Sequence, residues 1–516
     1  MFPPGEPATL LGPSRRMRDL DRLASRREPF DVLVVGGGVT GAGVALDAAS
    51  RGLSVLLVDA HDLAFGTSRW SSKLAHGGLR YLAHGDVAVA AESAVERGLV
   101  MERIAPHLSR ALPTLVPYGS SAAGWAVSGR AAGLVDLGAR AGDALRRYAG
   151  TSSRTLPPPR RVGTAESTVL APRVRRRGLQ GGVLWWDGQL EDDARFVVAL
   201  ARTAAGYGAT ILTHTRALSV GDHTASLQEA RTGQALEVSA RAIVNATGVW
   251  AGALDPSVQL RPSKGVHLVL DGASLGHPAA AVAAPVPGST SRYVFALPHP
   301  DGQVYLGLTD DPLDGPIPDV PSVSADDVTF LLGTINQVLQ PQLTPDDVVG
   351  SYAGLRPLLA AGEAAGSSSD ISRKHAVIEG PGGLVTVTGG KFTTYRKMAQ
   401  DVVDRLTDMP CRTRDIGLVG AGPVDASEAA GLPPRLVRKY GTEAPLVAGL
   451  ARGRPELLAP VDSARPELGV ELAWGRYAEG AATVDDLLER RTRMSLVSAV
   501  SDRVRPTVEG LLGGEG

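Results

Sequence analysis

Asp31-Val-Leu-Val-Val-Gly-Gly-Gly-Val-Thr-Gly-Ala-Gly43 is an apolar run that breaks into glycines. Val32 to Val35 reads as a β-strand covered on both faces. Gly36, Gly38 and Gly41 then fall in the G-x-G-x-x-G pattern. In that pattern Gly36 permits a tight turn, Gly38 lets a pyrophosphate approach the backbone, and Gly41 lets the following helix pack close to the strand. Unpaired N–H groups at the helix start favour an anion there. Ala42 to Ser50 reads as that helix, and Arg51-Gly52 stops it. Leu53 to Val58 is a second apolar strand, ended by Asp59, 18 residues after Gly41. An acid at that place accepts hydrogen bonds from a ribose hydroxyl. The unit is therefore a β-α-β dinucleotide cradle, with Gly37 and Thr40 as further backbone contacts.

A length of 516 residues suggests two or three domains. With 43% hydrophobic and 21% charged residues the composition is globular, and a net charge of −1 favours no nucleic-acid partner. The single cysteine, Cys411, excludes an intramolecular disulfide and fits a reducing compartment. Residues 1–30 mix arginines with acids and lack the apolar core of a secretory signal. Leu10 to Leu23 suits a short amphipathic surface helix. No run of about 18 apolar residues suggests a spanning helix. Gly119 to Arg147 alternates small and apolar residues with arginines. It reads equally as a membrane-interface segment or an ordinary helix.

Strand-like runs recur at 182–186, 210–213 and 242–244, with a helix-like run over 192–207. That alternation suits a mainly parallel, helix-covered sheet. Ala246-Thr-Gly248 ends one strand in a small-residue turn over which a nucleotide passes. From Gly265 to Asp311 short runs split by Pro and Gly (267–270, 293–297, 304–308) read as antiparallel strands of a substrate layer. Residues 312–321 read as a loop and 326–339 as a helix. Residues 348–359 and 384–398 read as a return to the nucleotide domain, where Gly389-Gly390 precede a helix from about Thr393. The chain beyond Asp401 reads as helical. Gly420-Ala-Gly422-Pro repeats only the start of the fingerprint and reads as a linker loop, leaving one dinucleotide site.

The ordered motifs resemble one family closely. They are Ser68-Arg-Trp-Ser-Ser-Lys-Leu-Ala-His-Gly-Gly-Leu-Arg-Tyr-Leu82, Asp192-Asp-Ala-Arg195, Pro262-Ser-Lys-Gly-Val-His267, Gly307-Leu-Thr-Asp-Asp311, Tyr352-Ala-Gly-Leu-Arg-Pro357, Ser372-Arg-Lys-His375, Gly389-Gly-Lys-Phe-Thr-Thr-Tyr-Arg396 and Leu487-Leu-Glu-Arg-Arg-Thr-Arg493. Together they resemble aerobic, FAD-dependent glycerol-3-phosphate dehydrogenases. The resemblance implies oxidation of sn-glycerol 3-phosphate to dihydroxyacetone phosphate by hydride transfer from C2 to FAD. It implies a membrane quinone as acceptor and a monotopic, often homodimeric enzyme on the cytoplasmic face of the membrane. The expected architecture is α/β. A discontinuous FAD/NAD(P)-binding Rossmann-like domain of glutathione-reductase type takes residues 31–85, 175–262 and 345–400. An antiparallel-sheet, substrate- and membrane-facing domain takes 86–174 and 263–344. Residues 1–30 form an extension and 401–516 a C-terminal helical domain.

Roles follow from the resemblance. Arginine suits a phosphate dianion because its planar fork binds two oxygens. Arg356 and Arg373 are the leading phosphate ligands, with Arg80 a third and Tyr81 beside it. His267 is the first candidate for the base that takes the C2 hydroxyl proton, since imidazole titrates near working pH. Lys391 is the runner-up, or stabilises the reduced ring. Ser71, Ser72, Lys73, His76, Gly77, Gly78, Gly390, Thr393 and Thr394 are expected to surround the cofactor, with His76 shaping the turn over its ring. Asp310 and Asp311 are read as a structural turn in preference to an acid/base pair or metal site, and no metal is expected. Trp185 and Trp186 read as core. The competing readings are an oxidase that uses oxygen and a flavin-bound scaffold without activity.

Overall fold

The computed structural model describes residues 7–78, 82, 85–289, 292–359 and 375–513. Two sheets carry the molecule. In the first, strands run in the order His375–Glu379, Leu384–Gly389, Ala235–Asn245, Phe30–Val35, Val55–Val58, Thr210–Leu212. The last five are mutually parallel, and His375–Glu379 closes the edge antiparallel. The hairpin Thr215–Gly221 and Thr224–Glu229 extends the sheet through the N-terminal half of Ala235–Asn245. Val32, Leu33, Val34 and all four residues of Val55–Val58 are buried, as strands sandwiched between layers require. Helices Val39–Ser50, Asp193–Gly206 and Tyr395–Val403 cover one face around a common core. They approach closely because the contact residues are small. A Cβ on Gly43 would sit 2.9 Å from the Tyr395 ring.

The second sheet has ten strands, nearly all antiparallel. Ser263–Asp271 lies between Gln303–Gly307 and Val348–Arg356, so His267 is paired with Gly307 on one side and Tyr352 on the other. Ser109–Gly119 pairs with Leu179–Leu190 over eleven residue pairs. Here two expectations need correction. The expected nucleotide domain includes Leu179–Leu190, with its run 182–186, and Val348–Arg356. Both lie in the second sheet. An apolar run shows that a strand is buried, but its partner is set by the opposite strand's register, which the run does not carry.

The other elements fall close to expectation. The N-terminal helix spans Pro13–Ser25, the substrate-layer helix Ala325–Ile335, and Gly129–Tyr148 is a 20-residue helix. Among the described residues no helix is long and apolar enough to cross a membrane. The Gly420 to Asp425 segment is a loop. Beyond Asp404 short helices form their own cores. Buried ion pairs tie them to the first domain. Asp62, after the acidic strand end, receives Arg490 at 2.8 Å and Arg491 at 2.8 and 2.9 Å. Arg195 bonds Glu479 at 2.5 and 3.0 Å.

Candidate active site

The glycine loop is built as its spacing demands. Gly36 has φ +111°, and a Cβ there would stand 2.5 Å from the Ala246 carbonyl oxygen. A Cβ on Gly41 would fall 1.8 Å from the Gly36 oxygen, so only glycine lets the helix start against the strand. Gly38 differs. A Cβ there would meet only the Ser68 hydroxyl at 3.1 Å, and Gly38 faces a cavity. The space it leaves is thus on the ligand side, which fits a pyrophosphate at the N-terminus of Val39–Ser50. The Asp59 carboxylate accepts from the Gly37 N–H at 2.6 Å and the His61 N–H at 2.8 Å. Loss of solvent nevertheless holds its pKa above the ordinary carboxylate value, with the two donors opposing.

The cavity measures about 1040 Å³ and is walled by both sheets. Gly36, Gly38, Thr40 and Asp59 line it from the cradle; Ala246, Thr247 and Gly248 from the neighbouring strand end. Ser71, Ser72 and His76 enter from the loop after the second strand, and Gly390, Lys391 and Thr393 from the last parallel strand. His267 and Arg356 come from the second sheet. Residues from distant parts of the chain therefore converge on one space.

Six expected cofactor contacts stand behind this wall and do not line the cavity. Gly37 and Gly41 shape the loop. Lys73 is buried, its ammonium 3.3 Å from Asp193 and over the Tyr305 and Tyr352 rings, so it serves the core. The Gly77 N–H donates to Asp187 at 3.0 Å, and Arg97 fills the place a Cβ would need. Gly78 provides a left-handed turn at φ +75°. Buried Thr394 bonds the Lys391 carbonyl at 3.3 Å. Arg80, Tyr81 and Arg373 lie outside the described residues.

His267 is 1% exposed and stacked on Tyr352 at 4.8 Å. Its Nε2 lies 2.9 Å from the Ser72 hydroxyl, while Nδ1 has no hydrogen-bond partner. Burial, with Lys73 and Arg356 nearby, lowers its pKa to about 3. The ring is therefore neutral at any working pH. A dianion in the cavity acts in the opposite sense and raises its proton affinity. Arg356 Nη1 donates to Ser263 at 3.1 Å and to Asp310 at 3.0 Å; Nη2 donates to the Thr309 carbonyl at 3.1 Å. Asp310 also accepts from Ser263 at 2.6 Å. The Lys391 ammonium bonds the Ser93 hydroxyl on helix Val87–Leu99.

Sequence reasoning missed Ser93, Ser263 and Thr309, and Asp310 orients Arg356 besides shaping a turn. Helix Val87–Leu99 carried a signal. Ser93, Glu96 and Arg97 share one face by their spacing, and all three are buried. Glu96 receives Arg396 at 2.5 and 2.8 Å, and Arg97 meets Asp187 at 2.7 Å. Polar residues on the inward stripe of a helix require buried partners, and Ser93 finds one in Lys391 at the cavity wall. Among the described residues no group of three or more His, Cys, Asp or Glu is arranged to hold a metal.

A Rossmann-type sheet whose glycine loop shares one cavity with an antiparallel sheet defines an FAD-dependent oxidoreductase. Residues 31–396 match the family described as FAD dependent oxidoreductase, and residues 411–515 match the C-terminal domain of alpha-glycerophosphate oxidase. The chain is 51% identical over 509 residues to glycerol-3-phosphate dehydrogenase 1 of Mycobacterium tuberculosis, covering 96% of each chain. It superposes with a TM-score of 0.72 and 26% identity on the glycerol-3-phosphate dehydrogenase of Bacillus halodurans, solved with FAD, covering 98% of this chain and 94% of that one. The L-alpha-glycerophosphate oxidase of Mycoplasma pneumoniae, also with FAD bound, shares the fold at a TM-score of 0.56 and 20% identity over 76% of this chain and 99% of that one. The chain belongs to the family of FAD-dependent glycerol-3-phosphate dehydrogenases.

Proposed function

We propose that this protein oxidises sn-glycerol 3-phosphate to dihydroxyacetone phosphate and passes the electrons to a membrane quinone. The observation that carries the reading is the presence of His267 and Arg356 in the same cavity as the glycine cradle. The cradle would hold FAD through Gly36, Gly38 and Thr40, with Asp59 toward the ribose. Bound FAD supplies an acceptor for the hydride that leaves C2.

The protein's residues supply the rest. Arg356 binds the phosphate, and its contacts with Asp310, Ser263 and Thr309 hold the guanidinium in one orientation before substrate arrives. Arg373 and Arg80 are proposed as further phosphate ligands and Tyr81 as a further substrate contact. Neutral His267, which lines the cavity, takes the C2 hydroxyl proton. Lys391, tethered to Ser93, places positive charge at the cavity wall where negative charge accumulates on reduction. Exposed Leu134, Leu137 and Tyr148 on helix Gly129–Tyr148 support peripheral contact with the cytoplasmic face of the membrane.

Anaerobic addition of glycerol 3-phosphate to the yellow holoenzyme is the test. Loss of the flavin absorbance with a phosphorylated three-carbon ketone as product is expected. No bleaching with flavin bound would leave a scaffold instead. Because residues 411–515 match the C-terminal domain of an oxidase, oxygen is the second acceptor to test. Rapid peroxide formation without quinone would favour it.

A further inference from the structure

The nitrogen of His267 that meets a cavity-lining group is Nε2, 2.9 Å from the Ser72 hydroxyl. The other nitrogen, Nδ1, is buried and has no hydrogen-bond partner among the described residues. Ser72 itself is half-buried. The chain on either side of it is pinned. Asp193 accepts from the Ser71 N–H at 3.0 Å, from the Ser71 hydroxyl at 2.7 Å and from the Lys73 ammonium at 3.3 Å. The Ser71 hydroxyl in turn accepts from the Lys73 N–H at 2.9 Å. Lys73 is left-handed, with φ +54°. A residue other than glycine keeps that conformation only where its surroundings over-determine it, and such residues cluster at functional sites. Tyr352 ties the two partners together. Its O–H donates to the Ser71 carbonyl at 3.0 Å, while its ring stacks on His267 at 4.8 Å. Asp193, Lys73 and Tyr352 thus fix the Ser72 hydroxyl from behind the cavity wall.

A hydroxyl donates one hydrogen and accepts through two lone pairs. In the tautomer with hydrogen on Nδ1, Ser72 donates to Nε2 and keeps its lone pairs for a donor in the cavity. The C2 hydroxyl of glycerol 3-phosphate is such a donor. We propose that Ser72 is a catalytic residue that relays the substrate's C2 hydroxyl proton to His267. As the C2 O–H bond breaks, its proton passes to Ser72 Oγ, and the proton already on Oγ passes to Nε2. The C2–H bond breaks with its electron pair, which leaves as hydride to the bound flavin, and C2 becomes a carbonyl. Ser72 gives one proton as it gains one, so it carries no net charge. The imidazolium that forms is opposed by the neighbouring Lys73 and Arg356 charges and favoured by Asp193 and by the substrate's phosphate. The relay rests on the reading of His267 as the base.

Anaerobic flavin bleaching by glycerol 3-phosphate, followed by stopped flow per bound flavin, tests the relay. Wild type is compared with Ser72→Ala, His267→Ala and the double variant. At saturating substrate Ser72→Ala should bleach at least about tenfold more slowly, the loss expected when a proton-transfer partner is removed. The double variant should be no slower than His267→Ala alone, because groups that act as a unit are not additive. A wild-type rate in Ser72→Ala, or losses that add in the double variant, overturns the relay and leaves the base. A wild-type rate in His267→Ala removes the base, and the relay with it. The second measurement needs no variant. Crystals of the dithionite-reduced holoenzyme, which cannot oxidise the substrate, are soaked with glycerol 3-phosphate. A C2 oxygen within hydrogen-bond reach of Ser72 Oγ, with Ser72 still on Nε2, supports the relay. A C2 oxygen bonded directly to His267, with Ser72 out of reach, overturns it. A C2 oxygen near neither side chain removes the base reading as well.

Discussion

Arg356 is set apart from a surface arginine by what holds it. Ser263, Thr309 and Asp310 each accept from its guanidinium, and Asp310 is itself bonded to Ser263. The side chain is oriented before substrate binds, so truncation removes a placed charge and not a mobile one. Arg356→Ala is expected to lower kcat/KM roughly 10- to 150-fold, the range of one lost charge-assisted contact. Steady-state kinetics with glycerol 3-phosphate check it, and wild-type values would remove Arg356 from phosphate binding. Gly38→Val places a branched side chain in the space where the cradle faces the cavity. The variant should purify colourless; a yellow preparation would contradict the cradle. That Gly38 and Arg356 line one cavity is legible in the motifs that carry them. A glycine fingerprint followed by an acid has one common use. Lys73, expected beside the cofactor, does not line the cavity, because residue type does not fix direction. Its ammonium is turned inward by Asp193, 120 residues away in sequence, and no local pattern announces that contact.

At the scale of elements, burial was readable and partnership was not. Leu179–Leu190 and Val348–Arg356 were visible as strands, yet their sheet depended on register with Ser109–Gly119 and Ser263–Asp271. The same holds for the docking of the C-terminal helices. Leu487 to Arg493 stood out in sequence, but its role appears only when Arg490 and Arg491 meet Asp62. That aspartate is fully buried, and so are its partners. Asp62→Asn would remove the charge that two guanidinium groups share, although Arg490 keeps Asp486 and Glu489 and Arg491 keeps Glu479. Losing one member of a buried pair costs up to about 3–5 kcal/mol, and the remaining carboxylates reduce it here. The expected outcome is a thermal midpoint lowered by several degrees. Calorimetry on the holoenzyme checks it, and an unchanged midpoint would show that the clamp contributes nothing. Because Asp62 lies three residues beyond Asp59, some loss of flavin affinity should accompany the loss of stability.

Over the whole molecule, histidines brought into the interior by the chain's topology govern the response to acid. His107 is seated between Gly420 and Gly441. A Cβ on the first would stand 2.8 Å, and on the second 3.0 Å, from its ring. The glycine pair at 420–422, which imitated a nucleotide loop in sequence, thus has a packing use instead. Burial and the Arg195 charge lower the His107 pKa to about 4, and His267 is lowered to about 3. Between those values and 6.5 the unfolded chain binds protons that the folded protein refuses. Stability therefore rises with pH across that window and is lost as pH falls from 6.5 toward 4 and then 3. For His107 alone, a folded pKa near 4 against 6.5 unfolded corresponds to on the order of 2 kcal/mol between pH 7.5 and pH 5. Carboxylates with lowered pKa values, such as Glu471 at about 2, add their losses mainly below about pH 4.5, so the two effects separate. His107→Gln removes the ionisable ring while keeping a polar side chain of similar reach. Urea midpoints of wild type and variant, compared at pH 7.5 and 5, should show a smaller acid-induced drop in the variant. Equal drops would mean that His107 gains its proton as readily in the folded protein as in the unfolded chain.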